Sequence, residues 1–221
     1  SEVERAVIDA ETLGAAATAP CPWVVHGPEA PAPLEGRSGL AFLGSYGHPP
    51  NRDAVQAFLE EVWPLLQERD PSLTLHLYGS GLSPELARGW GAHPGVQVAG
   101  WIADAAEVYR RHRVFIAPLR SGAGIKGKVV AAAAHGIPQV LSPLAAEATG
   151  LRDGQEVFLA RTPAEWREAV ERLSSCDATW QAMSTAAFHY ARATWSPERG
   201  QALMAEALHR LALPVREPAA P

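Results

Sequence analysis

Cysteine is nearly missing from this chain, with two residues, Cys21 and Cys176, among 221. Two thiols cannot build a disulfide framework, so a small cross-linked secreted scaffold is excluded and a reducing cytoplasm is the expected compartment. Long apolar runs are lacking too. No stretch approaches the ~20 apolar residues that span a bilayer. No basic segment leads into an apolar one of the secretory kind, and peripheral contact with a membrane stays open. Positive charge is not in excess either. Nineteen Lys and Arg face 24 Asp and Glu, a net charge of −5, which argues against a general nucleic-acid binder. The eight histidines, at 26, 48, 76, 93, 112, 135, 189 and 209, never fall into His-x-x-x-His spacing. No metal site is therefore expected. The chain opens Ser1-Glu2-Val3 without a methionine and reads as a cut from something longer.

What is present is an ordinary apolar fraction of 47%, enough for a real core at this length. A helical opening from Glu2 to Leu13 is followed by a short strand candidate, Trp23 to His26, and a proline-rich linker over Gly27 to Gly36. An alternation then begins. Leu40 to Leu43 reads as a buried strand, and Asn51 as the N-cap of a helix whose stripe runs Ala54, Val55, Phe58, Leu59, Val62, Leu65, Leu66. Further strands fall at Leu73–Tyr78, Val96–Gly100, Arg113–Leu119, Pro138–Leu141 and Glu156–Ala160. Helices start at Ser83-Pro84-Glu85, Asp104-Ala105-Ala106-Glu107, Thr162-Pro163-Ala164-Glu165 and Ser196-Pro197-Glu198, each with an N-cap residue in place. One further helix spans Trp180 to Ala193.

Six strands alternating with helices predict an α/β fold, a Rossmann-like three-layer sandwich on a six-stranded parallel sheet. Right-handed crossovers place the loops Gly44–Pro50, Gly79–Gly81, Gly100–Ala103 and Pro118–Gly127 on the C-terminal edge, where such sheets bind ligands.

The last of these loops carries the most chemistry. An apolar strand ends at Pro118, opens into Arg120-Ser121-Gly122-Ala123-Gly124-Ile125-Lys126-Gly127-Lys128, and enters an alanine-rich helix. Unpaired backbone N–H groups and the positive end of a helix dipole meet there. Cations are disfavoured at that end of a helix, so Lys126 and Lys128 point to a bound anion, most naturally phosphate. The segment satisfies G-x-x-x-x-G-K, but Val129 stands where a P-loop needs Ser or Thr for Mg²⁺. Gly79-Ser80-Gly81 is better read as a tight strand-to-helix turn than as a dinucleotide loop, because Pro84 replaces the third glycine. His48, in the first edge loop, is a candidate functional histidine, with a plain surface residue as the alternative.

The order of motifs is more specific than any one of them. Phe-x-Gly and Pro-Asn precede an amphipathic helix ending Trp-Pro. Leu-x-Leu-x-Gly-x-Gly, Val-x-x-x-Gly-Trp and Ala-Pro-Leu-Arg-x-Gly-Ala-Gly-Ile-Lys-Gly-Lys follow, then Gly136-Ile-Pro, Ala146-Glu147 and Gly150-Leu151. From about Gly39 to Leu211 the chain resembles the C-terminal, donor-binding domain of a GT-B glycosyltransferase of the retaining group 1, family 4 type. The resemblance implies a nucleotide-diphosphate sugar of UDP or GDP type as donor, no metal and no other cofactor, and an acceptor-binding domain upstream of residue 1. It implies a division into 1–38 (remnant of that domain plus linker), 39–195 (nucleotide-sugar-binding domain), 196–213 (helix packing toward the missing domain) and 214–221 (tail). Gly122, Gly124, Lys126 and Lys128 would face the diphosphate. Gly44, Ser45, His48, Gly79 and Glu147 would line the cleft. No catalytic residue is assigned.

One departure stands out. The family commonly holds the donor ribose with a glutamate, and Ala131 occupies that position here. The earlier glutamate of the family's pair is also absent, with Arg120-Ser121 in its neighbourhood. Glu147 could substitute, or could simply start the following turn. A transferase half and a catalytically degenerate nucleotide-binding or interaction module are thus the two readings, with a P-loop nucleotidase a distant third.

Overall fold

The computed structural model describes residues 2–16, 18–19 and 23–210. Cys21, the helix end expected at 211–213 and the tail at 214–221 lie outside the described residues.

Six strands form one sheet: β1 (Ser38–Leu43), β2 (Leu75–Tyr78), β3 (Val96–Gly100), β4 (His112–Ala117), β5 (Gln139–Leu141) and β6 (Phe158–Leu159). Their spatial order is β3-β2-β1-β4-β5-β6, with every pair parallel. The sheet is therefore the expected Rossmann-like one. The order reverses between β1 and β4, which are in register from Ser38↔His112 to Ala41↔Phe115. That is the topological switch point, where the edge opens into a crevice.

Alternation along the strands divides the core into two faces. Leu40, Phe42, Val114 and Ile116 point into a cluster with Phe58 and Leu59 of α2 (Pro49–Glu61), Trp63 and Leu66 of α3 (Trp63–Arg69), and Trp90 of α4 (Pro84–Gly91). Trp166, Val170 and Leu173 of α8 (Pro163–Ser175) complete this layer. Ala41, Phe115 and Ala117 point the other way. They meet Val108 and Tyr109 of α5 (Ala105–Arg111), the alanine run of α6 (Gly127–Ala134), and Ala187, Ala191 and Trp195 of α9 (Asp177–Trp195). One face is filled by large aromatic rings, the other largely by small side chains that let α6 lie close to the sheet and to α9. The remaining helices are α1 (Glu2–Glu11), α7 (Pro143–Ala146) and α10 (Pro197–Arg210).

Most helix starts follow the sequence, and four expectations change. Thr162 and Glu165 form the complete reciprocal capping box, and Ser83 accepts from the Leu86 N–H. Asp104 caps α5 through Ala106, but Glu107 turns to Arg110 and Arg111 instead of closing the box. The stripe from Ala54 to Leu66 is two helices, not one. Its break at Val62 precedes Pro64, which has no N–H to continue the ladder. Asn51 is not the N-cap of α2: His48 occupies that position without a side-chain cap bond, and α2 begins at Pro49. Residues 23–26 form no strand. Val25 donates a single bond to the Trp195 carbonyl, 2.9 Å, because the segment lies along a helix rather than beside a strand. A Cβ added at Gly127 would come within 2.6 Å of the Trp23 ring, and Gly27 sits equally close to Ala134, so the segment runs the length of α6. Arg37 then ties the end of the proline-rich stretch to the sheet. Its buried guanidinium donates to the carbonyls of Pro33, Ala32, Tyr109 and His112.

Candidate functional site

The crevice at the switch point is built from the loop after β1, residues 44–48, and the loop after β4, residues 118–126. Gly122 and Pro50 face each other across it, 3.9 Å from where a Gly122 Cβ would sit. Gly122 and Gly124 have φ of 111° and 74°, and nothing lies within 4 Å of a Cβ placed on Gly124. Gly124 therefore leaves open space by the first turn of α6, whose N–H groups point toward the loop. Ser142, at the end of β5, holds the loop's base by donating to the Leu119 carbonyl, 2.6 Å.

The two lysines are both at this place but in different surroundings. Lys126 is the N-cap residue of α6 and is buried. Its Nζ lies 3.4 Å from the Gly122 carbonyl oxygen and 3.4 Å from Glu147 Oε2. Glu147, half-exposed at the end of α7, is thus an ion partner of the loop's lysine. Lys128 points beneath the end of β1. Its Nζ donates to Asn51 Oδ1 at 2.6 Å and lies 4.4 Å from the centre of the Phe42 ring. A Cβ on Gly44 would be 2.9 Å from the same Nζ, so the amine borders the crevice at the first residue beyond β1. Burial lowers this amine's pKa to about 7. Asn51 is in turn oriented by donating to the Ser45 carbonyl, 2.8 Å.

Of the sequence candidates, Gly44, Ser45, Gly122, Gly124, Lys126, Lys128 and Glu147 come together around the crevice. His48 is exposed at the start of α2. Gly79 adjoins the crevice from behind, and its close neighbour is the Gly44 carbonyl oxygen, 1.7 Å from a notional Cβ. Space for a ligand is not what this glycine supplies. Ala131 is half-buried one turn into α6, and the carboxylate of Glu147 is engaged by Lys126. Sequence reasoning missed two members. From sequence Asn51 reads as a cap, whereas accepting from the Lys128 amine through a buried amide is a different role. Trp23, on the first residue of α6, carried no local signal because its partner is more than a hundred residues away. Among the described residues no group of three or more His, Cys, Asp or Glu side chains could hold a metal ion, and no helix is long and apolar enough to cross a membrane.

An all-parallel six-stranded sheet with helices on both faces is the Rossmann-like architecture of a GT-B glycosyltransferase domain. Residues 37–176 match the family model for group 1 glycosyl transferases, and the chain belongs to that family. It is 25% identical over 128 residues to an uncharacterized 44.6 kDa protein in the cps region of Klebsiella pneumoniae, covering 55% of this chain and 33% of that protein. Among solved structures it resembles TarM, with a TM-score of 0.72 at 13% identity over 84% of this chain and 37% of TarM. It also resembles the pneumococcal O-GlcNAc transferase GtfA in complex with UDP and GlcNAc. There the TM-score is 0.67 at 17% identity, over 96% of this chain and 44% of GtfA. The chain thus spans a third to under half the length of these proteins.

Proposed function

We propose that this chain is the donor-binding half of a retaining glycosyltransferase, taking a nucleotide-diphosphate sugar of UDP or GDP type. The observation that carries the reading is the open glycine loop at the switch point, with the first turn of α6 and the Lys126 amine beside it and the Lys128 amine bordering it at Gly44. Backbone N–H groups, a helix dipole and lysine charge together can neutralise a diphosphate without a metal. The UDP bound in the GtfA structure supports a uridine nucleotide as the first donor to try. On this reading Gly122, Gly124, Lys126 and Lys128 face the diphosphate, and Gly44 and Ser45 form the cleft mouth. The acceptor is held by a second half that precedes these residues, in the cytoplasm, so the chain alone turns nothing over.

Ala131 supports a second reading. With no carboxylate at that position and Glu147 held by Lys126, the ribose hydroxyls lack a family-type acceptor, as in a nucleotide-binding module without transfer. Calorimetric titration of the folded chain with UDP, GDP and their sugars tests both. Binding by at least one is expected, and Lys126→Met should weaken it by about tenfold, the worth of one charge-assisted contact. A folded sample that binds none of them would sink the donor-half reading. Binding without transfer, in a protein carrying both halves and offered a range of acceptors, would favour the module.

A further inference from the structure

The two crevice lysines differ in what balances their charge. Lys126 has a carboxylate, that of Glu147, 3.4 Å away. Lys128 has none among the described residues. Facing its amine are the Phe42 ring and the Gly44 backbone from β1 and its loop, and the Asn51 amide oxygen from α2. From α5 the Tyr109 hydroxyl reaches the Lys128 carbonyl oxygen, not the amine. Burial is the sole cause of the amine's lowered affinity for its proton, with no neighbouring charge contributing. An ammonium so placed keeps only part of its hydration and has no counter-ion, a costly state that the group escapes by shedding the proton. An anion arriving beside Gly44 would supply the missing counter-charge and draw the proton back.

We infer that binding of a diphosphate in this crevice is coupled to uptake of one proton from solvent onto the Lys128 Nζ lone pair. The inference rests on the nucleotide-sugar reading for its ligand and on this chain's own packing for its mechanism. Lys126, with the Glu147 carboxylate already beside it, exchanges one anionic partner for another. Lys128 thereby makes the site sensitive to pH on the alkaline side. Affinity falls as pH rises from 7 to 9, because the proton must be recovered from an ever poorer supply.

The test uses the 221-residue chain and UDP. Calorimetric titrations at pH 8 in two buffers of different ionisation enthalpy report the protons exchanged. At that pH a terminal phosphate, with a second pKa of about 6, is already fully ionised. Uptake close to one proton is expected, absent in Lys128→Met and retained, on weaker binding, in Lys126→Met. A ¹³C NMR titration of lysine Cε in the ligand-free chain checks the premise independently. One resonance should titrate near 7 and vanish in Lys128→Met, while titration of every lysine near 10.5 would overturn the inference. So would UDP binding without proton exchange at pH 8, or uptake that survives Lys128→Met. If the NMR premise holds while neither UDP nor GDP binds, the nucleotide-sugar reading has failed. Inorganic pyrophosphate then takes UDP's place in the same experiment, and its binding without proton uptake, or no binding at all, would overturn the coupling too.

Discussion

Two glycine loops leave the same edge of the sheet, and they do opposite things. The loop after β2 is filled by protein: a methyl group on Gly79 would lie 1.7 Å from the Gly44 carbonyl oxygen, at a φ of 139°. The loop after β4 is open. Gly124, at a φ of 74°, has nothing within 4 Å of its notional methyl group. In sequence both are glycine-rich turns between strand and helix. Only the neighbours decide that one lets two backbones approach and the other leaves room for a ligand.

The comparison can be broken most directly at Gly79. Gly79→Ala drives a carbon into backbone that cannot yield, and the expected result is loss of the cooperative fold, read by circular dichroism and thermal melting. A stable Gly79→Ala variant would show that the β1 and β2 loops do not meet as described. A smaller effect belongs to the residue before it. Tyr78 and the buried His112 share a hydrogen bond of 2.9 Å, and the other ring nitrogen of His112 faces the Ser38 carbonyl at 3.1 Å. Since that carbonyl can only accept, Nδ1 carries the hydrogen and Nε2 accepts from Tyr78. Burial first, then the neighbouring His76, lower the His112 pKa from 6.5 to about 4. The unfolded chain therefore binds the proton first, and stability present above pH 6.5 drains away as pH falls toward 4. The loss amounts to roughly 3 kcal/mol, at about 1.4 kcal/mol per unit. Chemical denaturation at pH 7 and pH 4.5 measures it, and in His112→Phe that part of the pH dependence should disappear. The smallest effect is on the open side. Gly124→Ala meets no atom, only the cost of a left-handed backbone, about 1–2 kcal/mol. The variant should stay folded while its added methyl group narrows the phosphate space and weakens UDP. Equal damage from Gly79→Ala and Gly124→Ala would erase the distinction between the two loops.

Much of the architecture was legible because each signal was local or periodic. Alternating Leu40, Phe42 against Ala41, the proline-headed helix starts and the glycine-ended strands each act within a few residues, and together they predict the sheet and its ligand edge. The helix break at Val62 was not read, since one apolar stripe continues through it and only Pro64 marks the interruption. The site was legible as a location but not as a set of partners. Lys128 contacting Asn51 joins positions 77 apart, and Trp23 on Gly127 joins positions over a hundred apart. No local pattern encodes such pairs. Asn51 reads as a cap from sequence because asparagine is a preferred N-cap residue, while its task in the structure depends on an amine supplied by another element.

The segment from Trp23 to Gly27 touches α6 at both its first and its last residue, and is tied to the end of α9 through Val25. Chain entering the domain is thereby laid like a splint along the helix whose first turn faces the glycine loop after β4. A displacement of this segment therefore reaches two elements at once, α6 through the indole on Gly127, one residue from Lys126, and α9 through the Val25 N–H.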